Sequence, residues 1–299
     1  MIATRPQRRC VRQARHPGHG GYGRWIPDSG AGNHYVKHVA GDLAVFLLWN
    51  IVAGAFLLLL DPFLGLPIAL AMAAALLWGF LLRPPGGGPP GRRWATLCLR
   101  PLEGGVLKWT LLGVPTLILL AWAVGDVYTR IVPVPPESLD PFEPIMRTSM
   151  GRLAISIFAI AVAPVVEEFV FRGLIQRTLE RRFGTVAGIG LAALLFALVH
   201  FLPWVLPLHF FLGAAFGFVV YATRSIWSGV VLHAANNAVA MVGITLARGE
   251  PETTGSLWEI GLTADLWISL CALVFSLIAF WFVARGMLGA TRESRLRAV

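Results

Sequence analysis

The sequence predicts an all-α protein: a polytopic membrane helical bundle of about eight transmembrane helices with both termini cytoplasmic. Three observations carry this. Of the 299 residues, 56% are hydrophobic and only 14% charged, against about 25% charged in a soluble domain. The apolar residues come in long blocks near the ~20 residues that a span needs. Lys and Arg gather in alternate segments between those blocks, the pattern of cytoplasmic loops.

Such a composition excludes a disordered chain, a coiled coil and an ordinary cytosolic enzyme. The net charge of +9 does not indicate nucleic acid, because the basic residues lie between apolar blocks rather than on one folded face. Cys10, Cys98 and Cys271 are widely spaced without a CxxC pair, so no disulfide scaffold or zinc knuckle follows.

Residues 1–41 are polar and carry Arg5, Arg8, Arg9, Arg12, Arg15, Arg24 and Lys37. They read as a basic, flexible cytoplasmic tail. The bundle follows over 42–284, with spans at about 42–60, 64–82, 107–125, 150–170, 185–201, 205–222, 226–246 and 262–284. The fourth helix is expected to continue to about Arg182. The segments RPPGGGPPGRR (83–93) and VPVPPESLDPFEP (132–144) are turn-rich loops. Residues 285–299 form a basic cytoplasmic C-terminal tail. Basic-rich and basic-poor segments alternate, except that the loops after spans six and seven tie with one arginine each, Arg224 and Arg248. Small residues recur every fourth position at Gly184, Gly188 and Ala192, and again at Gly213 and Gly217. This spacing lets helices approach closely in lipid.

Ionisable groups concentrate in three spans. VVEEFVFRG holds Glu167, Glu168 and Arg172; FALVHF holds His200; LHAANN holds His233, Asn236 and Asn237. A charge in mid-span costs roughly 2.5–3.5 kcal/mol on insertion scales and marks a functional site. Glu168 and Arg172 are four apart in the favourable order for an ion pair. Glu167 points about 100° away and has no sequence-local cation, which suits a buried carboxylate to act as a base. His233 and Asn237 also share a face and offer two donors to an oxyanion. A hairpin turn near Phe183–Gly184 puts Glu167 and His200 at nearly equal depth, roughly 24–26 Å from its tip. His233 lies about 14 Å from the turn near Arg224, so the first hairpin must reach about 10 Å further into the cytoplasm for the three to meet. His209 reads as an interfacial or backbone-bonded histidine.

The order EEFVFR (167–172), FALVH (196–200), HAANN (233–237) on successive spans resembles the CPBP family, which covers type II CAAX prenyl proteases and bacteriocin-processing or self-immunity proteins. The resemblance covers a catalytic core of about 150–246. It implies an intramembrane endopeptidase acting on a membrane-associated peptide or protein, in the cell membrane. It also implies roles: Glu167 with His200 activating water, His233 with Asn237 stabilising the oxyanion, Glu168 and Arg172 ordering the site. No HExxH is present. Glu167, His200 and His233 offer three ligands to Zn2+ with water in the fourth position; a metal-free glutamate protease is the other chemistry, and no cofactor is certain. Two competing readings are a proton-coupled transporter, without the inverted repeats that class shows, and a catalytically silent immunity or scaffold member.

Overall fold

A computed structural model describes residues 31–59, 99–102, 104–132, 146–246 and 264–296, with scattered helical positions between 65 and 76. The described elements are helical: α1 (Ala31–Leu59), α2 (Gly104–Ile131), α3 (Ser149–Phe183), α4 (Thr185–Leu198), α5 (Leu206–Thr223, entered through a single 3-10 turn at Pro203–Val205), α6 (Ile226–Leu246) and α7 (Ala264–Leu296).

Five of these helices are long and apolar enough to cross a membrane: α2, α3, α5 with its entry turn, α6 and α7. The chain is an integral membrane protein built as a helical bundle. The expected spans 107–125, 150–170, 205–222 and 226–246 each fall inside one of them, and 262–284 does so from residue 264 on. The expected span 64–82 lies largely outside the described residues. The fifth expected span, 185–201, shortens to the 14 residues of α4, about 21 Å of helix against a hydrocarbon core of ~30 Å. Its end has a local cause. Phe201 adopts a left-handed φ of +54°, and Pro203 has no N–H to continue the ladder.

Helix extends into both segments expected as tails, as far as they are described. Helix α1 begins at Ala31, inside the segment assigned to the basic tail; residues 1–30 lie outside the described residues. Helix α7 runs to Leu296. Nothing in the stretch from Val283 to Leu296 breaks a helix by ring clash, so the last span propagates past the apolar residues.

The two turns expected from sequence are present. Gly184 joins α3 to α4 at φ +85°, and Arg224 joins α5 to α6 at φ +57°. Arg224 N–H caps Val220 O at 2.9 Å. Helix α3 is continuous through all 35 residues but widens twice, over Phe158–Val162 and Glu168–Ile175. Such π-type turns often mark functional sites.

Helix α2 packs along α7, α4 lies between α5 and the last turns of α3, and α6 rests on α2, α5 and both wide turns of α3. One apolar cluster gathers Phe46, Trp49, Val166, Phe171, Ile175 and Phe196. A second gathers Leu117, Phe216, Val219, Leu232, Val283 and Met287. The polar site lies between them.

The small residues explain how closely the helices approach. Arg172 Nη2 donates to Gly213 O at 3.0 Å, and Gln176 Nε2 donates to Gly217 O at 3.1 Å. Two side chains four apart on α3 thus bond two carbonyls four apart on α5. A Cβ on Gly217 would stand 2.7 Å from Gln176 Oε1, and one on Gly213 would stand 3.2 Å from Ala193 Cα. Side chains at these positions would separate the helices and break both bonds.

Candidate active site

The site begins at the second wide turn of α3. Glu168 and Arg172 are 0% and 1% exposed and form an ion pair of 2.9 Å, Arg172 Nη1 to Glu168 Oε1. Two buried ions would be costly unless paired and further hydrogen-bonded. Arg172 meets this with the bond to Gly213 O. Its guanidinium carbon also lies 4.5 Å from the Phe196 ring centre and 5.5 Å from that of Phe216, placing the cation against two π faces.

His233 of α6 joins the two glutamates. Its Nδ1 lies 3.0 Å from Glu168 Oε1, and its Nε2 lies 3.7 Å from Glu167 Oε2. The ring stacks on Phe216 at 4.6 Å and 16° and meets Phe196 edge-on at 5.8 Å. The same two phenylalanines therefore hold the guanidinium and the imidazole. The sequence reading puts Glu167 and Glu168 on different faces, and His233 uses one ring nitrogen for each.

Arg172 and Glu168 form the ion pair, and His233 Nε2 lies beside the second carboxylate, Glu167. A carboxylate and an imidazole side by side are the elements of an acid–base pair.

Helix α6 approaches this closely because of Gly229. A Cβ there would stand 2.5 Å from Glu168 Oε2 and 2.7 Å from Val220 Cγ2. Gly229, His233 and Asn237 follow one another at four-residue intervals and face α3 together. That spacing is visible in the sequence, but it acquires meaning only once Glu168 is known to lie opposite.

His200 and Asn237 each bond a backbone carbonyl. His200 follows α4, and its Nδ1 bonds Phe196 O at 2.7 Å. The ring meets Phe196 at 4.8 Å and His209 at 4.1 Å. Phe196 thus lies against both His200 and His233, and among the described residues no ion pair or hydrogen bond joins His200 to Glu167. Asn237 Nδ2 donates one of its two N–H groups to Ala159 O at 2.9 Å. His209, read from sequence as interfacial or backbone-bonded, does bond backbone: its Nδ1 lies 3.0 Å from Val205 O, and its ring lies tilted against that of His200. The two histidines follow one rule: each spends Nδ1 on the carbonyl four residues back, and neither Nε2 has a hydrogen bond among the described residues.

Among the described residues no group of three or more His, Cys, Asp or Glu side chains is gathered closely enough to hold a metal ion. Glu167, His200 and His233 therefore do not form the three-ligand set that a zinc site would need.

Comparison with known proteins adds one match. Residues 149–239 match the family described as Type II CAAX prenyl endopeptidase Rce1-like. This interval runs from the start of α3 to two residues past Asn237. No curated protein and no solved structure matches the chain.

Proposed function

We propose that this chain, whose residues 149–239 match the family described as Type II CAAX prenyl endopeptidase Rce1-like, is an intramembrane protease that hydrolyses a peptide bond of a membrane-associated substrate with water activated by Glu167. The observation that supports this most is the buried series Arg172–Glu168–His233–Glu167.

The proton steps balance within these residues. In the proposed reactive form Glu167 is a carboxylate and His233 carries a proton on Nε2. Glu167 takes a proton from water, and the resulting hydroxide adds to the carbonyl carbon. The oxyanion forms within reach of the His233 Nε2–H, whose aim is set by Glu168 at Nδ1. As the oxyanion collapses, the C–N bond breaks and Glu167 returns its proton to the leaving amine. The Nε2 of His200 is proposed to accept a hydrogen bond from the other hydrogen of the same water, orienting it. Arg172 keeps Glu168 ionised so that it serves only as an acceptor. A low-dielectric setting strengthens each of these interactions.

The residues do not form a zinc ligand set, so the chemistry proposed is that of a metal-free glutamate protease in the cell membrane. The substrate is proposed as a peptide presented at the bilayer. The family description names prenylated CAAX chains; a bacteriocin-type leader is the other candidate.

The test is cleavage by the purified full-length chain in lipid vesicles. Membrane-anchored peptides with and without a C-terminal prenyl-cysteine serve as substrates. Cleavage by wild type and its loss in Glu167→Gln is the expected result. Proton-gradient-driven solute uptake with no peptide cut would replace the reading by that of a transporter.

A further inference from the structure

Helix α3 has a backbone carbonyl without a backbone donor. In an α-helix Ala159 O would accept from the N–H of residue 163; in a π-type turn it would accept from residue 164. Here Ala163 N–H goes to Phe158 O. Residue 164 is proline and has no N–H. Neither bond is available. A backbone carbonyl away from water is costly if left unpaired, and the donor that reaches it is Asn237 Nδ2, at 2.9 Å. On the other side of the amide, Asn237 Oδ1 accepts from Asn236 Nδ2 at 3.5 Å, which keeps the NH2 group turned to α3.

We infer that Asn237 is a positioning residue whose side-chain amide replaces the backbone N–H that Pro164 lacks, and so sets the register of α6 against α3. The consequence for the site is geometric. His233 precedes Asn237 by one turn on the same face of α6. Anchoring Asn237 to Ala159 O fixes how far His233 extends along α3, and so holds Nδ1 at Glu168 and Nε2 toward Glu167. Gly229, one further turn back, touches Glu168 from the same face. Loss of the anchor lets α6 slide, and the imidazole loses its place between the two carboxylates.

This role differs from that of an oxyanion donor, which would act on turnover alone and would not depend on residue 164. The kinetic arm of the test rests on the peptidase reading above; the unfolding arm does not. The full-length chain is prepared in detergent as wild type, Asn237→Ala, Pro164→Ala and the double variant, with Pro164→Ser as a second way to restore the N–H. Thermal unfolding and, in vesicles, kcat and KM for the cleaved peptide are measured for each. All unfolding measurements are repeated in a Glu167→Gln background, where catalysis plays no part. Proline is unfavourable inside helices and alanine is the best helix former, so the Pro164 variants are expected to fold.

Asn237→Ala alone should lower the unfolding midpoint by several degrees and kcat on the order of tenfold, the size of one lost hydrogen bond. With a restored N–H at 164, the same change should cost under about twofold, because the two groups then serve the same carbonyl. Equal losses in both backgrounds would overturn the inference and return Asn237 to the oxyanion. An unchanged unfolding midpoint for Asn237→Ala with Pro164 intact would overturn it as well, whatever the Pro164 variants do. Absence of cleavage under every condition would end the peptidase reading and leave the unfolding cycle to decide this one.

Discussion

Oε1 of Glu168 lies 2.9 Å from Arg172 Nη1 and 3.0 Å from His233 Nδ1. One carboxylate oxygen thus holds a guanidinium from its own helix and an imidazole from another. Glu168 is the joint between the ion pair and the acid–base pair, while Glu167 occupies the free end of the series. The family match over residues 149–239 contains every residue of this joint.

The two glutamates should therefore fail in different ways. Glu167→Gln keeps the shape and removes the base, so cleavage should fall by a factor on the order of 10² or more with the fold intact. Glu168→Gln leaves Arg172 as an unpaired buried cation, a change worth about 3–5 kcal/mol, and also releases His233. It should unfold earlier and cleave poorly. Thermal unfolding and turnover on the two purified variants check this; swapped phenotypes would refute the assignment.

Gly229→Ala should be severe for a single methyl group. Its Cβ would meet Glu168 Oε2 at 2.5 Å, and Glu168 cannot withdraw without breaking both of its bonds at Oε1. Overpacking of this kind costs roughly 1–3 kcal/mol, and turnover should fall with stability. Gly243→Ala on the same helix meets nothing within 4 Å and serves as the control. Equal effects at 229 and 243 would contradict the packing described for α6.

His209 should matter to the reaction. Its ring lies 4.1 Å from that of His200, and each ring is fixed by its own Nδ1. His209→Ala leaves a gap beside His200 and should lower kcat more than it raises KM, by several-fold. His209→Phe keeps a ring against His200 and should recover most of the loss. Steady-state kinetics decide the point, with failure of the phenylalanine variant to recover activity arguing for a proton role at His209 Nε2.

Chelation should leave cleavage unchanged, because Glu167, His200 and His233 are not gathered into one ligand set. Activity assays after chelator treatment and after zinc addition test this. Loss on chelation with recovery by zinc would mean that the site rearranges around a metal.

Much of this was legible in the chain because it depends on local chemistry. Twenty-residue apolar blocks imply spans. Four-residue spacing of Glu168 and Arg172 implies one helix face, and the pair is present. Glycines at 213 and 217 imply close approach, and Arg172 and Gln176 use it. The turn at Gly184 needed a residue free to adopt positive φ. The length of α4 was less legible, because apolar composition continues through Phe201 and Leu202 while the backbone does not.

The sequence by itself determined which groups an apolar bundle must neutralise: two adjacent carboxylates, one arginine and the imidazoles of the neighbouring spans. It also set their order along the chain. Only the tertiary structure decided the pairing. His233 rather than His200 meets both glutamates, Phe196 touches both histidines, and Asn237 serves a carbonyl that Pro164 leaves open. The reason is that a helix face fixes direction but not depth. How far α6 extends along α3 depends on the absent side chain of Gly229 and the missing N–H of Pro164, which lie 65 residues apart in the chain and act on each other only through packing.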